Sequence, residues 1–167
     1  MKEETKKRLA NVLDRYDEEQ SGVKKQAQET KKEQEELLKS FGQLRTEVIR
    51  PIMEDIGTVL KTRGHDYKIV EEDISTDEQG TQKEVMISMY IFPSRAGAQA
   101  TTRELLHFPH ISFRPDPYWK RIIIHTSNVT LTYGGLSGGR GEYSISQVTA
   151  EFVEKELVQI VEGILNK

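Results

Sequence analysis

The sequence predicts an α+β protein with a long N-terminal helical segment, an antiparallel sheet of five or six strands and a C-terminal amphipathic helix. Three observations carry that expectation. Before Arg50-Pro51 there is neither a proline nor a strand-like alternation, and Glu, Lys, Gln and Leu, all good helix formers, dominate. From Tyr67 the apolar period falls to two, with turn residues at short intervals. The final stretch returns to helical spacing.

The helical front, residues 2–63, divides in two. Residues 1–36 read as a charged arm. Between Asp17 and Glu36 only Val23 and Ala27 are apolar, while 11 of the 20 residues are charged. Such a stretch buries no stripe against a core; it is a solvated helix, a weak coiled coil awaiting a partner, or partly disordered. Ser21-Gly22 weakens it further, since glycine costs about 1 kcal/mol in a helix interior. Leu9, Val12, Leu13 and Tyr16 form a short apolar patch that needs a partner. Residues 37–167 read as the α+β domain, opening with a helix over 37–63. There Leu37, Phe41, Leu44 and Val48 follow 4-3-4 spacing, and Ile52 and Ile56 continue with a shifted phase. Pro51 lacks an amide donor and predicts a kink or a restart, and Gly64 after Lys61 and Arg63 predicts the helix stop.

The sheet is expected between about 67 and 146, with strands at 67–74, 83–92, 107–114, 118–126, 129–133 and 142–145. Turns fall at 76–80, Pro115-Asp116-Pro117, Ser127-Asn128 and the glycine-rich 134–141, which reads as a hairpin loop. Connections this short favour antiparallel neighbours. Residues 94–104 read as a longer loop. The strand over 83–92 is apolar on both faces, so either the two amphipathic helices take opposite faces or a second subunit covers one. The closing helix runs from about 150 to 165, with Thr149 as N-cap, Glu151 in the first turn and Val148 stapled onto Val153.

Composition narrows function. The 167 residues contain no cysteine, which removes disulfides and thiolate chemistry. No apolar run approaches the roughly 20 residues needed to cross a bilayer, and no signal segment follows the N-terminus, so a cytoplasmic protein without membrane partners is expected. A net charge of −3 hides an acidic stretch, 65–93 at −5, and a basic one, 94–141 at +4. The glycine-rich segment lacks the Lys-Ser/Thr pair and the following helix of a phosphate loop. His65, His107, His110 and His125 show no metal-binding spacing, and no nucleophile elbow is present. No metal, cofactor or catalytic residue is therefore assigned.

Alternation places His110, Ser112 and Arg114 on one sheet face, and Trp119, Arg121, Ile123 and His125 beside them. Arg114, Trp119, Lys120, Arg121, His125 and Arg140 are the candidates for an anion or nucleic-acid face, set against an ordinary solvated surface. Leu9, Leu13, Leu37, Phe41, Leu44, Val48, Ile52 and Ile56 are the candidates for self-association. The leading expectation is a non-enzymatic module that forms a homo-oligomer and binds another, unidentified protein. Nucleic-acid or anionic-ligand binding through the basic segment is second, and a small-molecule enzyme third.

Overall fold

The computed structural model describes residues 2–76, 78–80, 82–95, 99–101, 103–128 and 135–166. The chain divides into two units, Met1–Glu36 and Leu37–Lys167. From Glu3 onward the first unit is helix α1 (Glu3–Leu44), and residues 2–33 are exposed throughout.

In the second unit, α1 ends at a π-helical turn, Arg45–Ile49, followed by α2 (Arg50–Thr62). The break expected at Pro51 takes this form. Proline cannot donate to a carbonyl four residues back, and the backbone N–H of Arg50 instead donates to the carbonyl of Arg45, five back. The extra residue shifts the apolar phase and puts Ile49 fully in the core. At the far end Gly64 takes φ +86°. The N–H groups of Gly64 and His65 donate to the carbonyls of Lys61 and Leu60, a Schellman arrangement that satisfies two helix-end acceptors.

The strands are β1 (Asp66–Glu72), β2 (Ser75–Thr76), β3 (Gln82–Lys83), β4 (Met86–Phe92), β5 (His110–Asp116), β6 (Arg121–Ser127) and β7 (Ser137–Tyr143). Five of them form an antiparallel sheet in the order β1-β4-β5-β6-β7, while β2 and β3 pair separately. Helix α3 (Ala150–Leu165) closes the described chain; Thr149 caps it by accepting the Phe152 N–H at 3.3 Å. The core lies between one sheet face and the helices. Ile87, Met89, Ile91, Ile111, Phe113, Ile122 and Ile124 pack against Phe41, Ile49, Met53, Leu60, Val153, Leu157 and Ile160.

Three sequence expectations are corrected. The helices do not take opposite faces of β4. Its second face, carrying Tyr90 and Phe92, is covered by the chain itself through Leu105, Phe108 and Ala100. That segment contains a 3-10 turn, Glu104–His107, held where Glu104 accepts both the N–H and the hydroxyl of Thr101 at 2.8 Å. The glycine-rich hairpin loop is largely strand. Residues from Ser137 pair with β6, because ladder hydrogen bonds compensate for missing side chains, and a register shift between Ile124 and His125 makes Arg140 the extra, bulged residue. The strand starts also move. Residues 117–120 form a turn, with Asp116 Oδ1 accepting the N–H groups of Tyr118 and Trp119, so β6 begins only at Arg121. The strand expected at 129–133 lies outside the described residues.

Candidate functional site

The self-association candidates separate sharply. Phe41 and Leu37 are buried in their own chain, and Leu44, Val48, Ile52 and Ile56 are half-buried against the same core. These six therefore hold the fold. Leu9 and Leu13 remain 49% and 52% exposed, beside Val12 and Tyr16 at 58% each. One pattern along α1 escaped the sequence reading. Leu9, Tyr16, Val23 and Thr30 recur every seven residues, and Leu13, Gln20, Ala27 and Gln34 follow each by four. Both sets fall on one side of the helix, giving a continuous but weakly apolar seam.

The basic candidates are not brought together. Arg114 donates to Glu84 at 2.8 Å, and Arg121 to Glu142 at 3.1 Å. Arg140 leaves this face altogether. From the bulge it reaches α3, donating to Glu156 and Gln159. Glu156 is only 7% exposed, so this pair sits at the edge of the core. Trp119 lies in the turn before β6, stacked edge-on against Tyr118 and 66% exposed; Lys120 follows it in the left-handed region at φ 54°. Three arginines committed to carboxylates leave this surface little free positive charge to attract an anion.

The expected polar face does form around His125, and it includes a residue outside the candidate set. The registers place Tyr90 opposite His110 and Ser112 opposite His125. The rings line up, Tyr90 to His110 at 4.9 Å and His110 to His125 at 5.5 Å, the latter stacked. The Phe108 carbonyl lies 2.9 Å from His110 Nδ1, so that nitrogen carries the proton in a neutral ring. Burial is the main cause that holds the His110 pKa below its ordinary value, and His125 adds to it. Burial likewise raises the Tyr90 hydroxyl, with Glu72 contributing. Ser137 Oγ lies 3.3 Å from His125 Nε2. One ring nitrogen of each histidine thus contacts the protein's own chain, as in a packed polar layer. His65, outside this row, accepts the Ser94 N–H at 3.0 Å, in keeping with a structural corner.

Two apolar depressions lie elsewhere in the second unit. A cleft of about 300 Å³ at one end of the sheet is lined by Leu38, Ile74, Val85, Pro115, Pro117 and Ile123, with Glu84, Arg114 and Asp116 at its wall. A groove of about 240 Å³ between α2 and α3 is lined by Ile56, Val59, Leu60, Val158, Val161 and Glu162. Neither was legible in the sequence, since each joins residues from distant segments.

Among the described residues, no group of three or more His, Asp or Glu side chains converges to hold a metal ion, and no helix is long and apolar enough to cross a membrane. Comparison with models of protein families, with curated proteins and with solved structures finds no match.

Proposed function

We propose that the chain is a non-enzymatic, self-associating interaction module whose arm pairs with the arm of a second copy. One observation carries this reading. A helix exposed over residues 3–33 places most of its few apolar side chains on one side at seven-residue spacing. An isolated helix with so little apolar contact is marginal in water, and its natural means of stabilisation is a second helix on that seam. The polar residues within the seam, Gln20, Thr30 and Gln34, make the pairing weak and reversible. Such a module serves to bring together whatever its two folded domains hold.

Sedimentation equilibrium over a concentration series tests the proposal. The full chain should approach twice its 19.2 kDa mass at high concentration and return to the monomer on dilution. Leu13→Glu should abolish association while leaving the thermal unfolding of the second unit unchanged. A single 19.2 kDa species throughout the series contradicts the reading.

A further inference from the structure

We propose that the groove between α2 and α3 receives an amphipathic helix of another protein, one whose apolar stripe is flanked by lysine or arginine. This rests on the interaction-module reading above and names what each folded domain holds.

Both helices carry more apolar side chains than the core uses. In α3, Leu157, Ile160 and Ile164 are buried in the core. Val158, Val161 and Leu165 each follow one of them by one residue, a second stripe turned by about 100° around the helix. In α2, Ile52, Ile56 and Val59 precede the buried Met53, Gly57 and Leu60 by one residue, a turn in the opposite sense. The two second stripes meet, and Ile56, Val59, Val158 and Val161 line one groove. Val59 is 61% and Val158 42% exposed. A lone exposed valine is ordinary surface, whereas two stripes converging on one groove form a docking surface. Among the described residues lining it, Glu162 alone is polar, too little to orient a small ligand. A helix stripe spaced i, i+3, i+4, i+7 matches such a trough between two helices.

Charge at the rim selects the partner's chemistry. On α3, Glu154 and Glu162 stand four residues either side of Val158, and Glu151 seven before it; against these three carboxylates stands Lys155, for a net of −2. All four are exposed, and among the described residues none of them forms an ion pair. On α2, Asp55 and Arg63, four residues either side of Val59, cancel. The α3 carboxylates are therefore open to cations that a partner brings, which speed its approach and fix its orientation. A second copy seated groove to groove brings its own acidic rim against the first, and an anionic lipid surface is repelled in the same way. The apolar stripe of the chain's own arm, Leu9, Val12, Leu13 and Tyr16, is taken up by arm pairing in the reading above.

The probe is a labelled helical peptide of about 16 residues, with leucines at i, i+3, i+4 and i+7 and lysines on either side of them. Fluorescence anisotropy against the full chain reads its affinity, and sedimentation of the same samples reads self-association. The lysine peptide should bind about tenfold more tightly than its glutamate counterpart, and than a lysine peptide of the same composition with the leucines scrambled. Val59→Lys, at an exposed position, should weaken binding about tenfold by placing a charge in the apolar contact. Glu154→Lys combined with Glu162→Lys should reverse the preference toward the glutamate peptide, with thermal unfolding unchanged. Equal binding after Val59→Lys, or binding no better than that of the scrambled peptide, overturns the proposal. So does loss of self-association in Val59→Lys, which puts a second copy in the groove. Tighter peptide binding in Leu13→Glu, which puts the chain's own arm there, overturns it too, as does binding of phosphatidylserine vesicles that Val59→Lys alters. A chain that stays monomeric yet binds the lysine peptide through Val59 sustains the groove and defeats only the arm pairing.

Discussion

Arg140 shows how far one side chain's role depends on its partner. It leaves the bulge of β7 to meet Glu156, whose carboxylate is nearly buried beside Leu157 and Ile160. Removing the guanidinium strands that carboxylate. The cost of breaking a buried pair is about 3–5 kcal/mol, reduced here because Arg140 is partly solvated; Arg140→Ala should lose about 2 kcal/mol. Arg140→Leu combined with Glu156→Leu should recover most of it, and urea denaturation of the single and double variants checks both outcomes. His110 gives a pH dependence with a definite sign. Its folded-state pKa is lowered, chiefly by burial, so the unfolded chain takes up a proton more readily. Its stability contribution is therefore complete above the ordinary histidine value, about 6.5, and is lost as the pH falls below it. Thermal midpoints should decline between about pH 7 and pH 5, and His110→Phe should flatten that part of the profile.

At the scale of elements, the helices were more legible than the sheet. Thr149, Gly64 and Pro51 are local punctuation, and each acts within a few residues of itself: a cap, a Schellman stop and a π-helical turn. The alternation of Ile87, Met89 and Ile91 likewise predicted a buried face. What covers the opposite face of β4 was not legible, because Leu105 and Phe108 come from a segment without periodicity. The strand character of Ser137–Tyr143 was hidden for another reason. Gly138, Gly139 and Gly141 have no side chains to alternate, and their pairing with β6 is purely backbone. The arginine candidates failed to gather because sequence spacing does not show carboxylates such as Glu84, Glu142 and Glu156 arriving from other elements. Gly57 tests the packing of α2 on β1. Alanine normally stabilises a helix interior by about 1 kcal/mol over glycine. Here an added Cβ meets the Tyr67 ring at 2.2 Å, and overpacking costs about 1–3 kcal/mol. Gly57→Ala should therefore destabilise, and combining it with Tyr67→Leu should relieve the loss in chemical denaturation.

For the whole molecule the governing contrast is between a domain that buries its own apolar surface and an arm that does not. Phe41, Ile49, Met53 and Leu60 complete a core with the sheet, whereas Leu9, Val12, Leu13 and Tyr16 lie open. A chain beginning at Leu37 should therefore retain cooperative unfolding, while losing self-association. Denaturation and sedimentation of that shortened chain check the two halves of this prediction separately. In the proposed pairing a second copy completes the seam on the arm. Amide hydrogen exchange of the full chain, followed at residues 9–34 across a concentration series, tests it most directly, because a helix with few buried contacts opens readily and a paired one does not. Protection over these residues should rise with protein concentration while that of β4 and β5 stays constant. Exchange in the arm that is equally fast at every concentration would rule out pairing between copies.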